Sequence, residues 1–256
     1  MQPMLNIATR AAQKAGDEIM RYYDQSSQMK VTEKSRNDFV TQVDKLAEQI
    51  IIDTIHKTYP NHAFIAEESG NTGDNEYEWI IDPIDGTTNF IHGFPHFCVS
   101  IALVHNKQLQ QAVVYDPFKQ ELFTASNGAG AKLNNKKIRV SDRKDLNGAL
   151  LGTGFPFRDD QEIETFLEQF RKINPLTAGI RRAGSAALDM AYVACGRLDG
   201  FWEHNLHPWD IAAGILLVQE AGGHVTTIKN QTNVLETGDV LCANPKLHQA
   251  LIKILA

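Results

Sequence analysis

One short segment constrains this chain more than any other, because an apolar run at 79–81 delivers Asp82 and Asp85 into a tight turn. Pro83 has no backbone N–H to give to a sheet, so we expect the strand to stop there and the chain to turn. Gly86 has no side chain, which lets backbone amides approach an anion closely. Carboxylate oxygens are the ligands that Mg²⁺ prefers. The segment therefore predicts a metal site that also holds a phosphate group.

The residues that follow, Thr87 to Phe90, extend this prediction. If they open a helix, their amides lie at its positive end, where an anion is stabilised. The hydroxyl groups of Thr87 and Thr88 add hydrogen-bonding capacity at the same place.

Composition narrows the classes of protein that fit. The 256 residues are 43% hydrophobic, enough for a large core, and the net charge is −6. Such an acidic balance argues against sequence-independent nucleic-acid binding, since no basic stripe is present to neutralise phosphates. Three widely spaced cysteines suit reduced, buried thiols and hence a cytoplasmic location. We see neither a signal-peptide core nor a run of ~20 apolar residues, so no membrane association is expected.

The first half of the chain predicts helices packed on a sheet. An amphipathic helix is indicated by Leu5, Ala8, Ala12, Ala15 and Ile19. The polar stretch from Lys30 to Asp38 lacks periodicity and predicts a surface loop. Thr41 and Asp44 have the form of a capping box that opens a second helix, which Pro60 ends. Strands are then predicted at 62–66, 78–81, 99–104, 112–115 and 121–124.

The second half alternates strands and helices, which predicts an α/β arrangement. Strands are expected at 150–152, 199–203 and 240–243, and helices at 159–172, 185–195, 209–222 and 245–256. We therefore expect one domain with two tightly joined lobes, 1–148 and 149–256.

Four further acidic residues could belong to the same site or could have an ordinary structural role. Glu67, beside Glu68, follows the apolar run Phe64–Ala66, the end of a strand where ligands commonly gather. Asp210 opens an apolar helix, and a helix cap is the commoner role of an aspartate there. Asp44 could serve only as the capping-box acid, and Glu203 could be a polar residue that simply follows a strand.

Taken together, these segments resemble the inositol monophosphatase family. The first family signature is matched by Trp79 to Phe90 and the second by Trp209 to Gly223. The stretches Gly184 to Asp189 and Gly200 to Glu203 look like the bacterial members of that family. The resemblance covers nearly the whole chain and implies a layered αβαβα sandwich, shared with fructose-1,6-bisphosphatase.

The resemblance also assigns roles residue by residue. It implies that Mg²⁺ is held by Glu67, Asp82, the backbone carbonyl of Ile84, Asp85 and Asp210. It implies that Thr87 and Asp44 act with Glu67 on the attacking water. Substrate contacts are implied for Asp85, Gly86, Thr87, Gly184, Ser185, Ala186, Glu203 and Asp210. The family's mobile basic loop aligns roughly with Lys30 to Asp38, where Lys34 is the candidate basic residue.

The activity implied is Mg²⁺-dependent hydrolysis of myo-inositol 1-phosphate or a related polyol or sugar monophosphate. Fructose 1,6-bisphosphate, a nucleotide 3′-phosphate and histidinol phosphate stay open as alternative substrates. Lithium inhibition and a homodimer are also implied. A second role is left open by some bacterial relatives, which act as protein partners in transcription antitermination.

Overall fold

Two amphipathic helices form the first layer of the protein. The computed structural model describes the backbone of residues 3–23, 31–35, 38–156 and 163–255, with side chains described for 3–23, 42–156 and 163–255. Helix α1 spans Pro3–Tyr23 and α2 spans Gln42–His56. The predicted stripe of α1 is confirmed, since Ala8, Ala12 and Ile19 are buried. Helix α2 ends four residues before Pro60, so the proline follows the helix and does not end it.

The loop predicted between these helices is wrong where the structure describes it. Strands β1 (Val31–Ser35) and β2 (Asp38–Thr41) pair antiparallel as a hairpin. The mixed-charge segment has no alternation of apolar and polar residues, so its sequence gives no strand signal. Lys30 itself lies outside the described residues. Thr41 ends β2, and α2 begins at the next residue.

The largest sheet has eight strands in the order β10-β9-β8-β7-β6-β5-β3-β4. Their bounds are β3 Ala63–Ala66, β4 Gly70–Thr72, β5 Tyr77–Asp85, β6 Cys98–His105, β7 Gln108–Asp116, β8 Glu121–Ser126, β9 Gly130–Leu133 and β10 Lys136–Lys137. Neighbours are antiparallel except β3 and β5, which run parallel. Helix α3, Thr87–Ile91, follows β5, so the helix expected after the metal motif is confirmed.

Pro83 does not stop its strand, contrary to the sequence prediction. Strand β5 continues to Asp85 through an irregular step, in which the register with β6 shifts between Asp82 and Asp85. A proline is tolerated at such a bulge, because the ladder hydrogen bond it cannot donate is already absent there.

The second sheet has five strands in the order β12-β11-β13-β15-β14. They are β11 Leu150–Thr153, β12 Gly179–Arg181, β13 Gly200–Glu203, β14 His224–Thr226 and β15 Val240–Ala243. Strand β11 is parallel to both β12 and β13, and the remaining pairs are antiparallel. The other helices are α4 Ile163–Ile173, α5 Ala186–Ala194, α6 Pro208–Glu220, α7 Val234–Thr237 and α8 Pro245–Leu255, with a 3₁₀ turn at Asn174–Leu176.

Alternating strand residues show how the layers stack. In β5, Trp79 and Ile81 pack with α1 and α2, whereas Ile80 packs with the core of α5 and α6 on the opposite face. In β13, Phe201 joins that same central core and Trp202 packs against α4 and α8. Helices α5 and α6 therefore lie between the two sheets, and the αβαβα layering is confirmed. The lobe boundary near residue 148 stays a prediction.

The three cysteines form no disulfide, and Cys98 and Cys242 are buried. Within the described ranges of the chain, none of the helices is both long and apolar enough to cross a bilayer.

Candidate active site

A cavity of about 150 Å³ opens where the two sheets and the central helices meet. Most of the predicted site residues line it, namely Glu67, Asp82, Ile84, Asp85, Gly86, Thr87, Gly184, Ser185, Ala186, Glu203 and Asp210. The cavity is also lined by residues to which the family resemblance assigned no role, namely Thr88, Thr153, Gly154, Arg182 and Leu206. Of the remaining candidates, Asp44 contacts a lining residue, and Lys34 lies in β1, where the side chain is outside the described part of the chain.

The parallel pair of the larger sheet, β3 and β5, brings two acids to the cavity. Its last register pair is Ala66 with Ile81, so Glu67 and Asp82 follow side by side, and the Glu67 amide donates to the Ile81 carbonyl at 3.2 Å. Buried Glu48 on α2 accepts from the amides of residues 68 and 69 at 2.8 and 2.9 Å, which fixes the turn just after Glu67. The sequence pattern gave no sign of this support.

Asp82 is buried, and its Oδ1 accepts the Ile84 amide at 2.9 Å. Desolvation raises the pKa of Asp82 well above its ordinary value, and the charges of Glu67, Asp85 and Asp210 raise it further. Burial and like charge both disfavour the ionised form. All four carboxylates line the same cavity.

Asp85 links the large sheet to α5. Its Oδ2 accepts from the Ser185 hydroxyl at 2.6 Å and from the Ala187 amide at 2.7 Å. Burial raises the pKa of Asp85 to about 6, against the opposing effect of the hydrogen bonds from Ser185 and Ala187. Ser185 is also the N-cap of α5, so one hydroxyl both starts the helix and orients the acid.

Asp210 both caps its helix and lines the cavity. It is the third residue of α6, and its Oδ2 accepts the His207 amide at 2.7 Å as a capping contact. The same carboxylate lines the cavity, where desolvation and then the charge of Asp85 raise its pKa. A capping contact uses one carboxylate oxygen, so the two roles are compatible.

Asp44 is buried near the start of α2, and its Oδ1 lies 3.1 Å from the Thr87 hydroxyl. That hydroxyl also lies 3.0 Å from the Ile84 carbonyl. One proton is shared between these two acceptors, which leaves the oxygen lone pairs of Thr87 to accept a further hydrogen bond.

Asn89 holds two walls of the cavity together. Its side-chain amide on α3 donates to the carbonyls of His96 and Ala183, at 2.8 and 2.9 Å. Gly86, at the N-cap of α3, has φ +101°, a conformation that favours glycine. A Cβ there would lie 2.9 Å from the His96 carbonyl oxygen. The bend before α3 therefore requires glycine.

The smaller sheet also brings two residues to the cavity, at the ends of its own parallel strands. Thr153 of β11 is paired with Trp202 of β13, so Gly154 and Glu203 follow side by side at the cavity. Exposed Arg182 lies near them, with its guanidinium 5.8 Å from the ring centre of Phe155. Of the two adjacent arginines, Arg181 and Arg182, it is Arg182 that lines the cavity.

The donor set suits a hard divalent cation, because a cation would relieve the mutual repulsion of these carboxylates. Among the residues with described side chains, no three Asp, Glu, His or Cys groups already form a coordination shell. The hydrogen bonds explain this, since Asp82, Asp85 and Asp210 each direct an oxygen at a protein donor. The residues fit a metal that completes the site by drawing their oxygens together.

Layered sheets and helices around an acidic pocket define the class, a layered α+β protein with a carboxylate-lined ligand site. The chain belongs to the inositol monophosphatase family, whose model matches residues 1–256. Members of this family are generally metal-dependent.

Individual relatives agree with this assignment. The chain is 54% identical to a protein of Pseudomonas aeruginosa named "Nus factor SuhB", over 98% of this chain and 95% of that protein. The structure of the extragenic suppressor protein suhB from Bartonella henselae superposes with a TM-score of 0.96 at 41% identity, covering 99% and 98% of the two chains. The inositol monophosphatase from Anabaena superposes with a TM-score of 0.87 at 42% identity, covering 98% and 94%.

Proposed function

We propose that this protein is a Mg²⁺-dependent phosphatase that hydrolyses myo-inositol 1-phosphate and related polyol or sugar monophosphates. The observation that carries the proposal is the convergence of Glu67, Asp82, Asp85 and Asp210 on one cavity. Family membership and the 42% identical inositol monophosphatase from Anabaena support the same reaction.

Mg²⁺ would be held by Glu67, Asp82, the Ile84 carbonyl, Asp85 and Asp210. When bound, the metal would lower the pKa of a coordinated water and neutralise charge on the phosphate. Asp82, Asp85 and Asp210 would adjust from the positions they hold here, in which each directs one oxygen at a protein donor.

The chain's own polar groups complete the proposed chemistry. Thr87, whose hydroxyl proton points to Asp44 or the Ile84 carbonyl, would accept a hydrogen bond from the attacking water and orient it. The amides of Gly86 and Thr87 would bind phosphate oxygens. Glu203 would accept hydrogen bonds from hydroxyl groups of the alcohol, with residues 184–186 lining the same pocket.

The test is phosphate release from inositol 1-phosphate, fructose 1,6-bisphosphate, 3′-AMP and histidinol phosphate, with Mg²⁺ and then with EDTA. The proposal predicts metal-dependent release, greatest from inositol 1-phosphate. A preference for another compound would correct the substrate, and no release from any of them would contradict the proposed activity. Lithium inhibition and a homodimer stay predictions, which the same assay and light scattering check.

A second candidate role is that of a protein partner in transcription antitermination. The observation that favours it is the name "Nus factor" carried by the 54% identical relative. The relative names identify transcription machinery as the kind of partner. Such a role would use the outer surface and could coexist with hydrolysis.

The two roles separate in an Asp82→Asn variant, because surface binding does not need the cavity. Transcriptional read-through would be measured in cells that lack the native protein and carry either wild type or the variant. Read-through that persists in both would support the partner role. Read-through that disappears when the protein is removed and returns only with an intact cavity would instead attribute it to catalysis.

A further inference from the structure

The ends of β11 and β13 are held in fixed register beside the cavity. The two strands are parallel, with Gly152 opposite Phe201 and Thr153 opposite Trp202. The buried Thr153 hydroxyl donates to the Trp202 carbonyl at 2.9 Å, which ties the two ends together. The residues one step beyond, Gly154 and Glu203, are therefore neighbours that cannot separate without breaking this contact.

The Glu203 carboxylate lies in the space that a side chain at Gly154 would fill. A Cβ built on Gly154 would overlap Cδ, Oε1 and Oε2 of Glu203. The backbone of Gly154 is not in the left-handed region, so its conformation alone does not require glycine. The contact is with the far end of a flexible side chain, so any residue larger than glycine would displace the carboxylate and leave the backbone in place.

We infer that Gly154 is a positioning residue that determines specificity, because it leaves room for Glu203 to present its carboxylate to an alcohol with adjacent hydroxyls. An ionised carboxylate only accepts hydrogen bonds, and its two oxygens match two neighbouring O–H donors. The inference rests on the proposed function and names the class of alcohol, a vicinal diol, that this part of the cavity selects.

The test compares inositol 1-phosphate, which has adjacent hydroxyls, with p-nitrophenyl phosphate, which has none. Gly154→Ala is expected to lower kcat/KM for inositol 1-phosphate by about ten- to a hundred-fold, mainly through KM. The value for p-nitrophenyl phosphate is expected to change by about two-fold or less, since this compound makes no contact through hydroxyls.

Gly179→Ala provides a matched control outside the cavity. Gly179 also lies outside the left-handed region, and a Cβ there would approach only the flexible ends of Arg181 and Leu150, at 3.2 and 3.9 Å. This variant is expected to keep the wild-type ratio of the two substrates. Unchanged thermal unfolding of both variants would show that the fold is intact.

A double-mutant cycle isolates the action through Glu203. In a Glu203→Ala background, Gly154→Ala is expected to have no further effect, because no carboxylate remains to be displaced. Combining Gly154→Ala with Glu203→Asp, which shortens the side chain by one carbon, is expected to restore about three-fold or more of the lost activity.

Three results would overturn the inference while the proposed function stands: an unchanged substrate ratio in Gly154→Ala, an equal loss for both substrates, or a loss that persists in full without Glu203. A wild-type protein that releases no phosphate from either compound would contradict the proposed function and the inference with it.

Discussion

Both sheets reach the cavity through the ends of parallel strands, but the two ends present different chemistry. Glu67 directly follows β3 and lies beside Asp82 of β5, whereas Gly154 directly follows β11 and lies beside Glu203, the last residue of β13. The first end concentrates negative charge that a cation can neutralise. The second end places a single carboxylate beside a glycine, which has no side chain. Under the proposed function, the first end would bind the metal and the phosphate, and the second would contact the alcohol.

The largest expected effect comes from breaking the acidic end. Asp82→Asn keeps an acceptor for the Ile84 amide but removes a buried charge. We expect phosphate release to fall about a thousand-fold or more. The rise in Tm that Mg²⁺ produces should also become smaller. Without metal, stability should not fall, because the raised pKa of Asp82 reflects burial and repulsion that the substitution relieves.

Steady-state rates and thermal unfolding with Mg²⁺ and with EDTA check this prediction. Asp53→Asn is the control, since exposed Asp53 on α2 keeps its contact with Gln49 when its carboxylate becomes an amide. Wild-type turnover in Asp82→Asn would refute the assigned site.

A second substitution sharpens the contrast between a glycine packed on backbone and one packed on a side chain. Gly86→Ala brings a Cβ within 2.9 Å of the His96 carbonyl at φ +101°, and neither group can move aside easily. We expect a loss of about 2 kcal/mol or more in unfolding free energy, with a Tm lower by about 5 °C.

Gly93→Ala separates strain from contact. Gly93 has φ +67°, and nothing lies within 4 Å of the position its Cβ would take. Denaturant unfolding should therefore show the smaller loss of about 1 kcal/mol that backbone conformation alone causes. Equal losses in both variants would show that the His96 contact contributes nothing.

The smallest effect is expected far from both strand ends. His248 on α8 is buried, with Nε2 2.9 Å from the Thr226 hydroxyl, and burial lowers its pKa to about 4, helped by the charge of His224. Because the folded pKa lies below the unfolded value, the stabilisation is present above about pH 6.5 and is lost as the pH falls toward 4.

His248→Gln should therefore lose less stability between pH 7 and pH 5 than wild type, by about 1 kcal/mol after allowance for solvent screening. Urea unfolding at the two pH values measures the difference. His56→Gln, at the exposed end of α2, should keep the wild-type dependence. Identical pH dependence in His248→Gln would contradict this account of the buried ring.

The residues of the acidic end could be selected from the sequence because their signal is carried by side chains. Asp82, Asp85 and Glu67 each follow an apolar run, and such runs become buried strands whose ends are shared. Asp210 was harder to assign, since capping and cavity lining use the same pattern, and the structure shows that it does both.

Other features could not be predicted for identifiable physical reasons. The β1–β2 hairpin carries no alternation, and the continuation of β5 past Pro83 depends on a register shift with a strand thirteen residues later. Gly154 matters because it has no Cβ to occupy the space of the Glu203 carboxylate. This relation is visible only once β11 and β13 are known to pair.

The most direct test of this division compares the two cavity glutamates, one from each sheet. The measurement is kcat/KM for inositol 1-phosphate and for p-nitrophenyl phosphate in Glu67→Ala and Glu203→Ala. The account predicts that Glu67→Ala loses activity on both compounds by about a hundred-fold or more, whereas Glu203→Ala loses it only on inositol 1-phosphate. Equal losses on both compounds in Glu203→Ala, or a selective loss in Glu67→Ala, would contradict the division of roles between the two sheets.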